Sequence, residues 1–331
     1  MNIDVLFEQF SGKRIAVVGD VMLDAYLRGG VHRVSPEAPV PIVSLEKQED
    51  RLGGAANVAL NLVSLGAQAV ICSVIGDDRD GDRLINLLQE QGISSDGIVQ
   101  SASRQTTVKT RVIGNNQQLL RIDAEQTDDI NASEEEAVIA RIEHLIAEGI
   151  DALIFEDYNK GVLTEKVIRR LIERCKQHDI ITTVDPKKDN FLAYKGVTLF
   201  KPNLKELKEG LNLQFSVLDR NAFENAVDKL ESELGNEITF ITLSEHGVFI
   251  KNTDNKHYIP AHVRNIADVS GAGDTVISVA TLCLALGLPI YEIAEIANLS
   301  GGLVCESSGV VSIEKHQLKS ELDKLNTLDI E

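Results

Sequence analysis

Short apolar runs rich in β-branched residues alternate with amphipathic stretches along most of this chain, and that alternation is the strongest constraint on its fold. The runs lie at residues 14–18 (RIAVV), 69–74 (AVICSV), 152–155 (ALIF), 180–184 (IITTV), 198–200 (TLF) and 238–243 (ITFITL). Between them, residues 55–65, 81–91, 133–148, 164–177 and 220–234 carry helical patterns. Continuous apolar strands separated by amphipathic helices predict βαβ units, and so a doubly wound, mainly parallel α/β sheet with helices on both faces. No internal repeat or low-complexity linker interrupts the 331 residues, so a single domain over 1–331 is expected.

Two stretches break the rhythm. Residues 40–45 (VPIVSL) follow a proline-rich turn, and residues 97–123 contain GIVQ, TTVKTRVIG and QQLLRID with a Gly114-Asn115 turn signal. Both read as antiparallel insertions, and they predict a small β-sheet lid formed by segments at about 31–50 and 97–123. A purely acidic run follows, with seven carboxylates between Asp123 and Glu136 and no base. It reads as a solvated loop entering a helix N-terminus, where acids favour the dipole.

Charge bounds the partners. With 33 basic against 51 acidic residues the net charge is −18, which argues against a nucleic-acid or anionic-membrane surface. An anionic small molecule remains compatible if a few cations gather locally. The four cysteines, Cys72, Cys175, Cys283 and Cys305, are widely spaced with no CxxC pair, as expected of thiols in a reducing cytoplasm. The N-terminal residues carry Asp4 and Glu8 and do not read as a signal peptide. Of two long uncharged stretches, residues 52–76 are broken by glycines and asparagines, and residues 275–291 fall short of a membrane span.

In open α/β sheets ligands gather beyond the carboxyl ends of the strands, so the polar residues there are the first candidates. They are Gly19-Asp20, Gly76-Asp77-Asp78, Glu156-Asp157-Tyr158, Asp185-Pro-Lys187, Lys201-Pro-Asn203 and Ser244-Glu-His-Gly247. The strongest local signal is Asp268-Val-Ser-Gly-Ala-Gly-Asp274 ahead of an apolar helix. Amides of Gly271, Ala272 and Gly273 at a helix N-terminus suit a transferring phosphoryl group. An acid beside such an anion hole makes sense as a general base, and Asp274 takes that role; helix capping is the plainer alternative. No G-x-x-x-x-G-K-[ST] sequence is present, and no G-x-G-x-x-G sits between an early strand and a helix, which disfavours a P-loop enzyme and a dehydrogenase.

GAGDT after DVS, with Gly53-Gly54-Ala-Ala-Asn57 early in the chain, resembles the ribokinase-like (PfkB) carbohydrate kinases. Lys201-Pro-Asn203-Leu-Lys-Glu206 is similar to that family's N-x-x-E element, and Thr242-Leu-Ser244-Glu-His-Gly247 to its nucleotide-binding strand end. Within the family, residues 18–24 (VGDVMLD), 35–41 (SPEAPVP), 53–59 (GGAANVA) and 117–123 (QQLLRID) resemble the heptose-7-phosphate kinase branch, the kinase half of the bifunctional ADP-heptose synthesis enzyme. That branch phosphorylates the anomeric O1 of D-glycero-β-D-manno-heptose 7-phosphate, a step toward lipopolysaccharide core precursors. No H-x-G-H motif is present, so the resemblance implies a separate nucleotidyltransferase. The chain departs from the branch in having Glu156 where S-D-Y-x-K-G has Ser, Lys188 where D-P-K-G has Gly, and an unusual segment at 298–309.

The resemblance further implies a set of roles. The sugar would meet Asp20, Asp24, Gly53, Gly54 and Asn57, with Asp157 and Lys160 near the sugar or transferring phosphate. Lys109 and Arg121 on the lid would reach the 7-phosphate. ATP would meet Asn203, Glu206, Ser244, Gly247 and Asn298, with Glu206 organising Mg²⁺ through water and Asp268 a candidate ligand of K⁺. A homodimer through the lid and a cytoplasmic location are expected. Another sugar kinase of the family, acting on ribose, a ketohexose or a keto-deoxy acid, is the alternative, followed by a non-catalytic sugar- or nucleotide-binding regulator.

Overall fold

The computed structural model describes residues 2–262 and 264–328. Its strands are β1 (Arg14–Gly19), β2 (Val21–Val34), β3 (Pro41–Gly54), β4 (Gln68–Gly76), β5 (Ser94–Ser101), β6 (Val108–Gly114), β7 (Gln117–Ala124), β8 (Ala152–Glu156), β9 (Ile181–Asp185), β10 (Leu199–Phe200), β11 (Ile238–Thr242), β12 (Val248–Lys251) and β13 (Lys256–Ile259). The helices are α1 (Ile3–Phe10), α2 (Ala55–Ser64), α3 (Arg79–Glu90), α4 (Ala132–Glu148), α5 (Glu165–Gln177), α6 (Leu204–Gly210), α7 (Arg220–Leu234), α8 (Ala272–Ala285), α9 (Ile290–Val304) and α10 (Lys315–Leu328).

A nine-stranded sheet runs in the order β13-β12-β11-β10-β9-β8-β1-β4-β5. Every pairing from β11 to β5 is parallel, and only β12 and β13 run antiparallel at the far edge. The period-2 alternation of β1 shows why both faces are covered. Ile15 and Val17 point into a core shared with α2, α8 and α9, while Ala16 and Val18 point into one shared with α4, α5 and α7. Helix α8 is buried nearly all round, which accounts for the uncharged stretch at 275–291. Among the described residues no helix is long and apolar enough to cross a membrane.

A second sheet, in the order β3-β2-β6-β7, forms the lid. It differs from the expected lid in three respects. It begins at Val21 rather than near residue 31, because β2 is a 14-residue strand whose Gly29 and Gly30 mask its alternation in the sequence. GIVQ belongs to β5, which pairs in parallel with β4 at the edge of the main sheet. The central β2–β6 pairing is parallel, where an all-antiparallel insertion was expected.

The acidic run also has two parts. Asn131 and Glu134 form a reciprocal capping box that opens α4, as the dipole argument predicts. Asp123 and Glu125, however, are ion-pair partners of Lys109, Arg121 and Lys160 rather than solvated loop acids.

Candidate active site

The parallel strands β1, β8, β9, β10 and β11 end along one edge, and the polar residues that follow them converge there with the N-terminus of α8. A cavity of about 710 Å³ opens at this edge. Its lining includes Tyr158, Asp185, Lys187, Lys201, Asn203, Glu206, Ser244, Gly271, Gly273 and Asp274. This is the size and place expected of a small-molecule site in an α/β sheet.

Asp274 is buried in the first turn of α8. Asn57 Nδ2 donates to its Oδ2 at 2.7 Å, and the Tyr158 hydroxyl donates to its Oδ1 at 2.8 Å. Burial pushes the Asp274 carboxyl above its ordinary value, and these two donors work against that shift. Hydrogen bonds to a charged group contribute about 1.5–3 kcal/mol each, so the carboxylate is held in a fixed orientation at the cavity wall. Gly271 caps α8 at φ 81°, a left-handed conformation that a side chain disfavours, and this brings the loop backbone against Asn57. Of the expected anion-hole amides, that of Ala272 donates to the Val269 carbonyl at 3.3 Å, whereas Gly271 and Gly273 line the cavity.

Beside Asp274 lies a buried charge network. Lys201 pairs with Asp185 at 2.8 Å, and Lys187 pairs with Glu206 at 2.6 Å and with Asp185 at 3.7 Å. Burial works against the Lys187 charge, but the carboxylates of Asp185 and Glu206 outweigh it and hold the ammonium firmly protonated. Glu206 also accepts from the Asn203 backbone, and Asn203 in turn caps α6 through the Glu206 amide. Glu156 is fully buried next to Asp185; burial first, then the charges of Asp185 and Asp274, drive its carboxyl well above the ordinary range.

Three residues expected near the sugar have other engagements. Asp20 accepts from the backbone amides of Tyr158, Lys160 and Val162 at 2.9–3.1 Å, so it shapes the loop after β8. Asp157 accepts from the Asn159 amide and from the Tyr194 hydroxyl; burial is the main cause that raises its carboxyl to about 6. Lys160 pairs with Glu125 at 2.9 Å.

The inner face of the lid carries most of the nearby positive charge. Cross-strand register places Asp24 and Tyr26 of β2, Glu49 and Arg51 of β3, Lys109 and Arg111 of β6 and Arg121 and Asp123 of β7 on one face. Arg28, Arg51 and Arg111 surround the Tyr26 ring at 5.0–5.5 Å. Arg111 pairs with Asp24, whose carboxylate lies where a side chain at Gly53 would clash; Gly54 caps α2. Lys109 contacts Asp123 and Glu125 at 3.4 and 3.1 Å, and Arg121 grips Asp123 through two nitrogens. Arg51 donates to the carbonyls of Ser308 and Val310, tying the lid to the loop beside α8. That loop is also held by Asp268, which accepts from Ser270 and from the Gly309 amide. Burial opposes ionisation of Asp268, but these bonds keep its carboxyl below the ordinary value.

Ser244, Asn203 and Glu206 therefore reach the cavity together with Asp274. Gly247 packs against the backbone of Ile259 and Pro260, and Asn298 donates to the Pro260 carbonyl at 2.8 Å; neither is among the cavity-lining residues described. Tyr158, Lys187 and Lys201 stood among the strand-end candidates without an assigned role, and Arg51 was not singled out from the sequence. Tyr158 and the two lysines follow strand ends, and that placement is the signal that marked them.

A doubly wound sheet with a buried acid at a helix N-terminus, basic residues around the adjoining cavity and a β lid defines a phosphotransferase acting on an alcohol group. Residues 13–316 match the pfkB family of carbohydrate kinases, and the chain belongs to that family. It is 39% identical over 308 residues to the Bifunctional protein HldE of Methylobacillus flagellatus, covering 93% of this chain and 63% of the relative. With the protein of the same name from Syntrophotalea carbinolica it shares 38% over 319 residues, covering 96% and 64%. The chain thus spans just under two thirds of these curated relatives. Among solved structures it resembles phosphofructokinase-2 from Escherichia coli in complex with potassium, with a TM-score of 0.78, 18% identity and coverage of 95% of this chain and 99% of the other.

Proposed function

We propose that this chain uses ATP to phosphorylate the anomeric O1 of D-glycero-β-D-manno-heptose 7-phosphate, giving the 1,7-bisphosphate. The observation that carries the kinase reading is Asp274, fixed by Asn57 and Tyr158 at the mouth of α8 on a cavity lined by Lys187, Lys201, Gly271 and Gly273. The choice of sugar rests on the segments that resemble the heptose-7-phosphate kinase branch and on similarity to HldE proteins along nearly the whole chain.

In this reading Asp274 accepts the proton of the O1 hydroxyl as that oxygen attacks the γ-phosphate in line. The amides of Gly271 and Gly273 face the transferring group, and Lys187 and Lys201 offset its charge. Both Glu206 oxygens already have partners within the protein, which fits a metal held through water rather than directly. Mg²⁺ bound beside Asn203 and Glu206 supplies neutralisation of the phosphoryl charge. Asp268, in the loop stitched to Gly309, is the proposed ligand of a monovalent cation such as K⁺. Ser244 meets the nucleotide phosphates or ribose, and Gly247 and Asn298 shape the wall on the adenine side.

On the sugar side, Asp24, Gly53, Gly54 and Asn57 form the edge between lid and base, with Asp20, Asp157 and Lys160 holding the loop after β8. Lys109 and Arg121 receive the 7-phosphate by exchanging Asp123 and Glu125 for it. Lid closure excludes water and suppresses ATP hydrolysis. The outer lid face aligns Leu27, Val112 and Leu120 in one cross-strand row and leaves Leu120 and Ile122 more than half exposed, which supports a homodimer through the lid. A cytoplasmic location supplies both ATP and the phosphosugar.

A coupled ATP-consumption assay over heptose 7-phosphate, fructose 6-phosphate, fructose and ribose tests the assignment. Turnover on heptose 7-phosphate well above the others is expected. Turnover confined to an unphosphorylated sugar rejects the heptose reading, and the acid-paired state of Lys109 and Arg121 makes that the second reading to test.

A further inference from the structure

Of the three places at which the sequence departs from the branch it resembles, Glu156 is the one beside Asp274, and the structure gives it unusual surroundings. Glu156 is the last residue of β8, in register with Asp185 at the end of β9. One carboxylate oxygen from each of Glu156, Asp185 and Asp274 lies within 4.8 Å of the others, and all three residues are buried. Asp185 is anchored by Lys201, and Asp274 by Asn57 and Tyr158. Glu156 is different. Its side chain has no solvent exposure, and neither of its oxygens has a hydrogen-bond partner.

An interior carboxylate without a partner is strongly unfavourable, and two like charges beside it make it more so. Among the described residues, four carboxylates, those of Glu156, Asp185, Glu206 and Asp274, share two ammonium groups, those of Lys187 and Lys201. With all four ionised the deficit is two positive charges. We infer that Glu156 and Asp185 bind a divalent cation of the Mg²⁺/Mn²⁺ class beneath the cavity wall, separate from the nucleotide-side position at Glu206, with Asp274, whose two oxygens already accept from Asn57 and Tyr158, facing it through water. An all-oxygen donor set selects hard cations over zinc or copper. The remaining positions are left for water, and a cation there keeps Asp274 ionised in spite of its burial. The unpartnered Glu156 oxygens carry the proposal, since an acidic cluster whose members all had partners would need no ion.

The test uses the full chain without nucleotide or sugar, with Mn²⁺ as probe. Electron paramagnetic resonance titration should show one Mn²⁺ bound per chain, with affinity reduced at least about tenfold in Glu156→Gln and in Asp185→Asn. Mn²⁺ should raise the melting temperature of the wild type but not of Glu156→Gln. In chelator, Glu156→Gln should melt at or above the wild type, which shows that lost binding is not lost folding. No Mn²⁺ binding by the nucleotide-free wild type, or equal binding by Glu156→Gln, overturns the proposal and leaves Glu156 as a buried neutral acid. Neither result bears on the choice of sugar, because no substrate is present.

Discussion

The floor of the site and the lid above it hold their charges differently. On the floor, Asp274, Asp185 and Lys201 are buried at strand and helix ends, with partners fixed by distant parts of the chain. On the lid, every residue of β7 is exposed, and Lys109 and Arg121 rest on acids of their own sheet and the turn after it. The floor is arranged before substrate arrives, and no reorganisation is needed at the moment of reaction. The lid holds provisional partners that a phosphate of greater charge can displace, and solvent-exposed pairs of this kind contribute little to stability. In the proposed reading, chemistry falls to the floor and recognition to the lid.

That division can be broken most forcefully at Asp274. Asp274→Asn should lower kcat by roughly 10²–10⁴-fold, the range for loss of a general base, with ATP affinity unchanged by calorimetry. Tyr158→Phe removes one of the two donors that orient the base, so a smaller loss, about tenfold, should appear in kcat with little change in KM. Near-wild-type turnover in Asp274→Asn would place the chemistry elsewhere.

Lid substitutions should move a different parameter. Lys109→Ala and Arg121→Ala should each raise KM for the phosphosugar by about tenfold and leave KM for ATP within a factor of about two. Unchanged sugar KM in both variants would remove the lid from phosphate recognition. Leu120→Glu on the outer face should shift the chain from dimer to monomer in light scattering, and a dimer that survives would put the interface elsewhere.

The smallest effect concerns how the lid is tied down. Bonds from Lys47 and Arg51 hold the Glu49 carboxyl at about 2, and Arg51 reaches the Ser308 and Val310 carbonyls. A depressed carboxyl contributes stability above its unfolded value near 4.5, and that contribution is lost as pH falls toward 2. Hydrogen exchange along β3 should quicken over that window, and less so in Glu49→Gln, whose contact does not titrate.

Much of the floor was legible in the sequence because its signals are local. Apolar runs gave the parallel strands, and Gly271, Gly273 and Asp274 sit together ahead of one apolar helix. Asn57 was legible as a site residue through resemblance alone, since its bond to Asp274 joins positions 217 apart. Tyr158 was legible as a strand-end candidate, but its role was not, because it lies 116 residues from the carboxylate it holds. Asp20 and Asp157 read as sugar ligands, yet much of their hydrogen-bonding capacity serves backbone amides and Tyr194, a use that no spacing announces. The lid was least legible. Strand β2 mixes Asp24, Arg28 and a glycine pair into its alternation, and the assignment of β5 to the main sheet depends on pairing with β4.

The most direct test of the account is phosphorus NMR of the product formed from ATP and D-glycero-β-D-manno-heptose 7-phosphate. One equivalent of ADP should appear together with a new phosphate resonance coupled to the anomeric proton, and the Asp274→Asn protein should leave the sugar unchanged. A phosphate on any other hydroxyl, or no product from this sugar while an unphosphorylated one is consumed, would contradict it.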